Sequence, residues 1–230
     1  MITYTMTKDE LVRELRAECD WLDGLRPGIV IKYKKRLNPR TAKEGFTLLG
    51  KTAYTTPRNN RVHVAWVREK VGNYITILSV HFYEYTNQYG KKQYINPCYN
   101  GFGNNPRRIV VYTSHAMSRL LERAGMTIQD LLFYDNDETG YNIGYVGEYE
   151  YKGKKSTMFN LGDKGMFITE DCNWGVAAVT FVNYELLGPV QTAEIKKAIE
   201  KTKSYNEMRA KETIDFCKTV PRYARRTAII

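Results

Sequence analysis

The chain has only 4 cysteines and 3 histidines among its 230 residues. Cys19, Cys98, Cys172 and Cys217 lie far apart with no C-x-x-C pair, which argues against a zinc ribbon or a thioredoxin-type site. Four free thiols in a reducing cytoplasm are the expectation. His63, His81 and His115 would have to converge from separate segments to hold zinc, so no metal or other cofactor is expected. No apolar run approaches the roughly 20 residues needed to cross a bilayer. The opening MITYTMTKDELVREL has no charged start followed by an apolar core. Neither membrane insertion nor secretion by the general route is expected. There is no internal repeat and no low-complexity tract.

What is present is an ordinary folding composition, 43% hydrophobic and 26% charged, with a positive excess of 35 Lys and Arg over 25 Asp and Glu. A net charge of +10 favours RNA or another nucleic acid as a partner, because phosphates attract basic surfaces and release counterions on binding. The excess is uneven. Residues 1–70 carry 15 basic against 8 acidic groups and residues 191–230 carry 10 against 5, whereas residues 113–190 carry 6 against 11. Eighteen tyrosines suit both a pleated sheet and base stacking.

Periodicity predicts an α+β fold: antiparallel sheets with an N-terminal helix, a central His/Arg helix and a long C-terminal helix. Leu11, Leu15, Cys19 and Leu22 recur at helical spacing behind a Thr7/Glu10 capping box, and Gly24 with Pro27-Gly28 reads as the stop. Ile29 to Tyr33 then reads as a strand. Extended patterns over Thr47 to Tyr99 form a first antiparallel sheet, with a hairpin around Thr86 to Gly90. Alternating segments from Asn142 to Tyr184 form a second. Three regions follow: 1–106, basic α+β; 107–190, helix plus antiparallel sheet; and 191–230, a helix to about Val220 with a basic tail. They are compatible with one composite domain. The last helix is a candidate surface for homo-oligomer formation.

The most informative segment is Ser114-His-Ala-Met-Ser-Arg-Leu-Leu-Glu-Arg-Ala-Gly125. At about 100° per residue, Met117, Leu120, Leu121 and Ala124 share one face, and His115, Arg119, Glu122 and Arg123 the other. An imidazole between two guanidiniums is the equipment of a general base beside a phosphate clamp. The same side chains serve equally as exposed Arg–Glu ion pairs with a capping or packing histidine.

This Ser-His-Ala-x-x-Arg-x-x-Glu-Arg-x-Gly run resembles the opening motif of small domains placed with the RelE-type ribonuclease toxins. It also resembles a motif of uncharacterised phage and mobile-element proteins of gut bacteria. The toxin resemblance covers residues 110–190 and implies a helix followed by an antiparallel sheet, with metal-independent RNA cleavage by 2′-hydroxyl attack. It further implies His115 as base, Arg119 as phosphate stabiliser and Arg123 as a third candidate. The second acid–base group would come from Tyr149, Tyr151, Lys154, Lys155 or Asp163.

A separate nucleic-acid surface is expected from Lys32, Lys34, Lys35 and Arg36 around Tyr33, together with Arg58, Arg61 and Arg68. There cations would track the phosphates while tyrosines stack on bases. A strand edge guarded by lysines gives the same composition. Two functions follow as expectations: a nucleic-acid-interacting protein with a metal-independent ribonuclease core, a toxin or a phage or mobile-element effector, or a non-catalytic phage or mobile-element accessory protein that binds a protein or nucleic-acid partner.

Overall fold

The computed structural model describes residues 1–99, 106–133, 144–151, 154–161, 164–188 and position 193. In chain order these form α1 (Lys8–Tyr33), a 3-10 turn (Lys34–Leu37), β1 (Gly45–Thr55), β2 (Arg61–Val71), β3 (Tyr74–Thr86), β4 (Lys92–Tyr99) and β5 (Pro106–Tyr112). Then come α2 (Ser114–Ala124), α3 (Ile128–Leu131), β6 (Gly144–Tyr151), β7 (Lys154–Leu161), β8 (Gly165–Cys172) and β9 (Gly175–Val182).

The expectation of separate antiparallel sheets is corrected. The described strands form one sheet in the order β1-β2-β3-β4-β5-β9-β8-β7-β6. The join is parallel, with Val110, Val111 and Tyr112 of β5 beside Val176, Ala177 and Ala178 of β9. Alternation in a sequence marks the two faces of a strand and is silent about its neighbour. A parallel pair needs a long crossover, and here α2, α3 and β6 to β8 supply it. Gly175 permits the close approach, since a Cβ there would stand 2.4 Å from the Ile109 carbonyl oxygen. The expected C-terminal helix, and the oligomer surface assigned to it, lie outside the described residues.

A second correction concerns α1, which runs through Gly24, Pro27 and Gly28 to Tyr33. Its start is the expected capping box, with Thr7 N–H donating to Glu10 at 2.7 Å and Glu10 N–H to Thr7 at 3.3 Å. Proline inside a helix removes a hydrogen bond and crowds the preceding turn. Tertiary packing outweighs that here. Leu11, Leu15, Leu22 and Ile29 are buried against the sheet, and Leu25, Val30 and Tyr33 pack beside them. The apolar stripe simply continues past the proline, and Ile31, on the opposite side, is 76% exposed.

Two cores follow from alternation in the strands. On one face, Val62, Val64, Trp66, Ile77, Tyr83 and Ile95 pack under α1. On the other, Ala65, Val67, Phe82, Val110, Phe167 and Phe181 pack under α2 and α3, which contribute Ala116, Leu120, Ile128 and Leu131. Trp174, in the β8–β9 turn, donates to the Met6 carbonyl at 2.7 Å and so ties the segment before α1 to the far half of the sheet. Among the described residues no helix is long and apolar enough to cross a membrane.

Candidate nucleic-acid interface

The α2 helix begins and ends as its sequence indicates. The Thr113 hydroxyl accepts from Ala116 N–H at 3.1 Å and donates to the Ala178 carbonyl at 3.0 Å, and Gly125 closes the helix at φ +65°. Leu120 is buried, but Leu121, expected on the same face, is 55% exposed. Of the three expected catalytic residues, His115 is exposed. Arg119 is engaged with Glu122 at 2.6 Å. Arg123 turns toward the sheet and donates to the Phe181 carbonyl of β9. The helix therefore brings His115 and Arg119 to one surface and commits Arg123 to the scaffold. The side chains of Tyr149, Tyr151, Lys154 and Lys155, and residue Asp163, lie outside the described part.

His63 and His81 do not join His115. His63 faces α3: its Nδ1 accepts from the Gln129 amide at 2.7 Å, and its Nε2 meets Glu84 at 3.2 Å. His81 is buried on the α1 face, alternating with Ile77 and Tyr83. Burial pushes its imidazole down to about 4, with the nearby Arg26 charge adding to the effect and a backbone bond at Ser79 opposing it. Among the described residues no group of three or more His, Cys, Asp or Glu is placed to hold a metal ion.

A cluster that the sequence reading missed surrounds Glu84, which meets Lys92 at 2.9 Å, His63 at 3.2 Å and Arg61 at 3.9 Å. Burial raises the Glu84 carboxyl, but the bonds and charges of Lys92 and His63 outweigh it and hold the group below the ordinary range. Strand register brings these residues together, Arg61 opposite Glu84 and Glu84 opposite Tyr94. Both His63 nitrogens are occupied, so the cluster ties α3 to the sheet and leaves neither nitrogen open to a substrate.

The expected basic surface divides in two. Arg58 pairs with Glu14 at 2.9 Å near the start of α1, and Arg61 belongs to the Glu84 cluster. Lys32 stands in the last turn of α1, and Lys34, Lys35 and Arg36 form the 3-10 turn that follows. From Glu14 to Lys32 the helix axis advances roughly 27 Å at about 1.5 Å per residue. One short phosphate track does not include both groups. Arg58 and Arg61 are also neutralised by carboxylates.

The cations from Lys32 to Lys43 are different. Lys32, Lys34, Lys35, Arg36, Arg40 and Lys43 are all exposed. Among the described residues no ion pair reaches any of them, and the adjoining Glu44 is taken by Lys70 at 2.9 Å. Arg40 and Lys43 lie beyond the basic run Lys32 to Arg36, in a stretch from Asn38 to Gly45 that reads as a turn or exposed loop. The signal for them is the charge run itself, which continues past Arg36 to Glu44.

The segment is anchored by its own side chains. Arg36 donates to the Leu48 and Leu49 carbonyls at 2.7 and 3.0 Å. Tyr33 lies over edge strand β1, where Gly50 leaves room for its hydroxyl: a Cβ there would meet that oxygen. Lys32 and Arg36 approach the Tyr33 ring at 5.3 and 5.9 Å. Beneath them Arg68, only 5% exposed, donates to the carbonyls of Arg36 at 2.9 Å and Lys43 at 3.1 Å and to the Thr47 hydroxyl at 2.6 Å. Burial, and then the Arg36 charge, lower the proton affinity of its guanidinium.

Comparison with protein-family models, curated proteins and solved structures gave no match to this chain.

Proposed function

We propose that the chain is a nucleic-acid-binding protein that grips the phosphodiester backbone through Lys32 to Lys43. The observation that carries this reading is the row of six exposed cations with no carboxylate partner among the described residues. Unneutralised cations are what phosphates bind and what releases counterions. Contact is with phosphate and not base, because the one aromatic ring in the segment, Tyr33, is occupied by Lys32, Arg36 and the β1 backbone. Binding is accordingly independent of sequence, and RNA and DNA both serve. We assign the protein to the cytoplasm on the thiols Cys98 and Cys172, which are not joined in disulfides.

The test is affinity for mixed-sequence RNA and DNA, measured by fluorescence anisotropy across a salt series. Log affinity falls linearly with log salt, with a slope of about −3 to −5 for four or five phosphates. Affinity that ignores salt, or is absent at low salt, removes the reading.

A second reading rests on a different observation, the exposed His115 one helical turn from the half-exposed Arg119. In that reading α2 is the base and phosphate stabiliser of a metal-independent ribonuclease. RNA incubated with the protein in EDTA distinguishes the two: cleavage lost in both His115→Ala and Arg119→Ala supports the enzyme, and intact RNA leaves the binding protein.

A further inference from the structure

We propose that Arg68 is a positioning residue for this interface, clamping the two ends of the basic segment so that Lys34, Lys35, Arg40 and Lys43 form a preset array for a phosphodiester backbone. The inference rests on the phosphate-binding reading above and adds how the surface is held ready.

Arg68 is an unusual choice for a buried position. A buried charge is normally paired with an opposite charge, and an apolar side chain of similar volume fills such a space at less cost. Among the described residues no carboxylate stands within ion-pair distance of Arg68. The charge that acts on it is that of another guanidinium, Arg36, and its Nε is buried without a hydrogen-bond partner. Packing alone does not account for this arrangement.

The destinations of its remaining donors do. Nη1 goes to the Arg36 carbonyl, and Nη2 to the Lys43 carbonyl and the Thr47 hydroxyl. The planar fork thus joins the start of the segment to its end, a geometry that a single ammonium lacks. Between those ends the chain has little else to hold it. Asn38 organises a local turn, accepting from Arg40 N–H at its side chain and from Thr41 and Ala42 N–H at its carbonyl. Between Arg36 and Lys43, Leu37 packs against the α1-side core.

Preorganisation matters here for two reasons. Ordering a loop during binding lowers affinity, and a loop ordered beforehand escapes that loss. The clamped cations also repel one another in the free protein, and an arriving phosphate relieves that repulsion. Arg68 adds no phosphate contact of its own, because it is buried.

The experiment compares wild type, Arg68→Met and Arg68→Lys as full-length chains. It reads duplex RNA affinity, its salt slope, and hydrogen exchange of the amides in residues 34–44. Arg68→Met weakens affinity about tenfold through lost preorganisation, speeds exchange in that segment, and leaves the salt slope unchanged because the same cations still meet phosphates. Arg68→Lys lies between the two, and it keeps the test decisive if the methionine variant folds poorly. Unchanged affinity and exchange in both variants overturn the proposal. So does a shallower salt slope, which would make Arg68 a direct phosphate contact. Failure of the wild type to bind overturns the parent reading, and exchange in the variants then reports separately on whether the clamp exists.

Discussion

Two basic regions of this molecule look alike in sequence and differ in what their charges are doing. On α2, Arg119 is held by Glu122 and Arg123 by the Phe181 carbonyl. In the segment that closes and follows α1, Lys32, Lys34, Lys35, Arg40 and Lys43 stand exposed without a carboxylate partner among the described residues, Lys32 beside the Tyr33 ring, above a backbone clamped by Arg36 and Arg68. Helical periodicity identifies the side chains that share a face. It does not say whether a neighbouring carboxylate or carbonyl has already claimed them. An anion is drawn to the region whose cations are unclaimed.

Affinity carried by lysine and arginine charges is flat from about pH 5 to 8, whereas affinity that depends on a histidine changes across that range. Stability behaves differently because of His81. Its folded value is about 4, below the ordinary 6.5, so the unfolded chain binds the proton more readily. The contribution is complete above about pH 6.5 and is lost as pH falls toward 4, reaching at most about 3 kcal/mol. Chemical denaturation at pH 7.5 and 5 measures it. Affinity falling in parallel above the unfolding range returns attention to His115.

Arg123→Ala is the next largest effect. Removing the donor from the Phe181 carbonyl lowers stability by about 1–2 kcal/mol and leaves nucleic-acid affinity within about twofold, read by thermal melting and anisotropy on the same samples. Loss of affinity at unchanged stability would move Arg123 into the interface. Smallest is Arg119→Ala, which breaks an exposed ion pair worth under about 0.5 kcal/mol. A double-mutant cycle with Glu122→Ala measures that coupling.

Much of this was legible locally. The Thr7/Glu10 box, the helical segment that starts at Ser114 and the turn between β3 and β4 are set by neighbours in sequence, and the structure has them. The end of α1 was not legible, because Pro27 and Gly28 read as a stop while the contacts that override them, Ile29 and Tyr33 on the sheet, are tertiary. Strand order was not legible either, since the β5–β9 pair joins positions 66 apart in the chain, Val110 with Val176. The cations at Lys32 to Arg36 were visible as charge, but their use depends on Arg68, which reaches Arg36 and Lys43 across 32 and 25 residues. Arg58 and Arg61 were grouped with them by composition and are separated from them by the length of α1.

The most direct measurement is a salt-series titration of mixed-sequence duplex RNA with wild type, the double variant Lys34→Glu/Lys35→Glu, and the double variant His115→Ala/Arg119→Ala. Charge reversal weakens binding roughly a hundredfold at low salt and flattens the slope by about 2, the share of two phosphate contacts. The α2 variant stays within about twofold of wild type. The reverse pattern, with affinity lost from α2 and retained after reversal at Lys34 and Lys35, would place the nucleic-acid site on α2 and not on the basic segment.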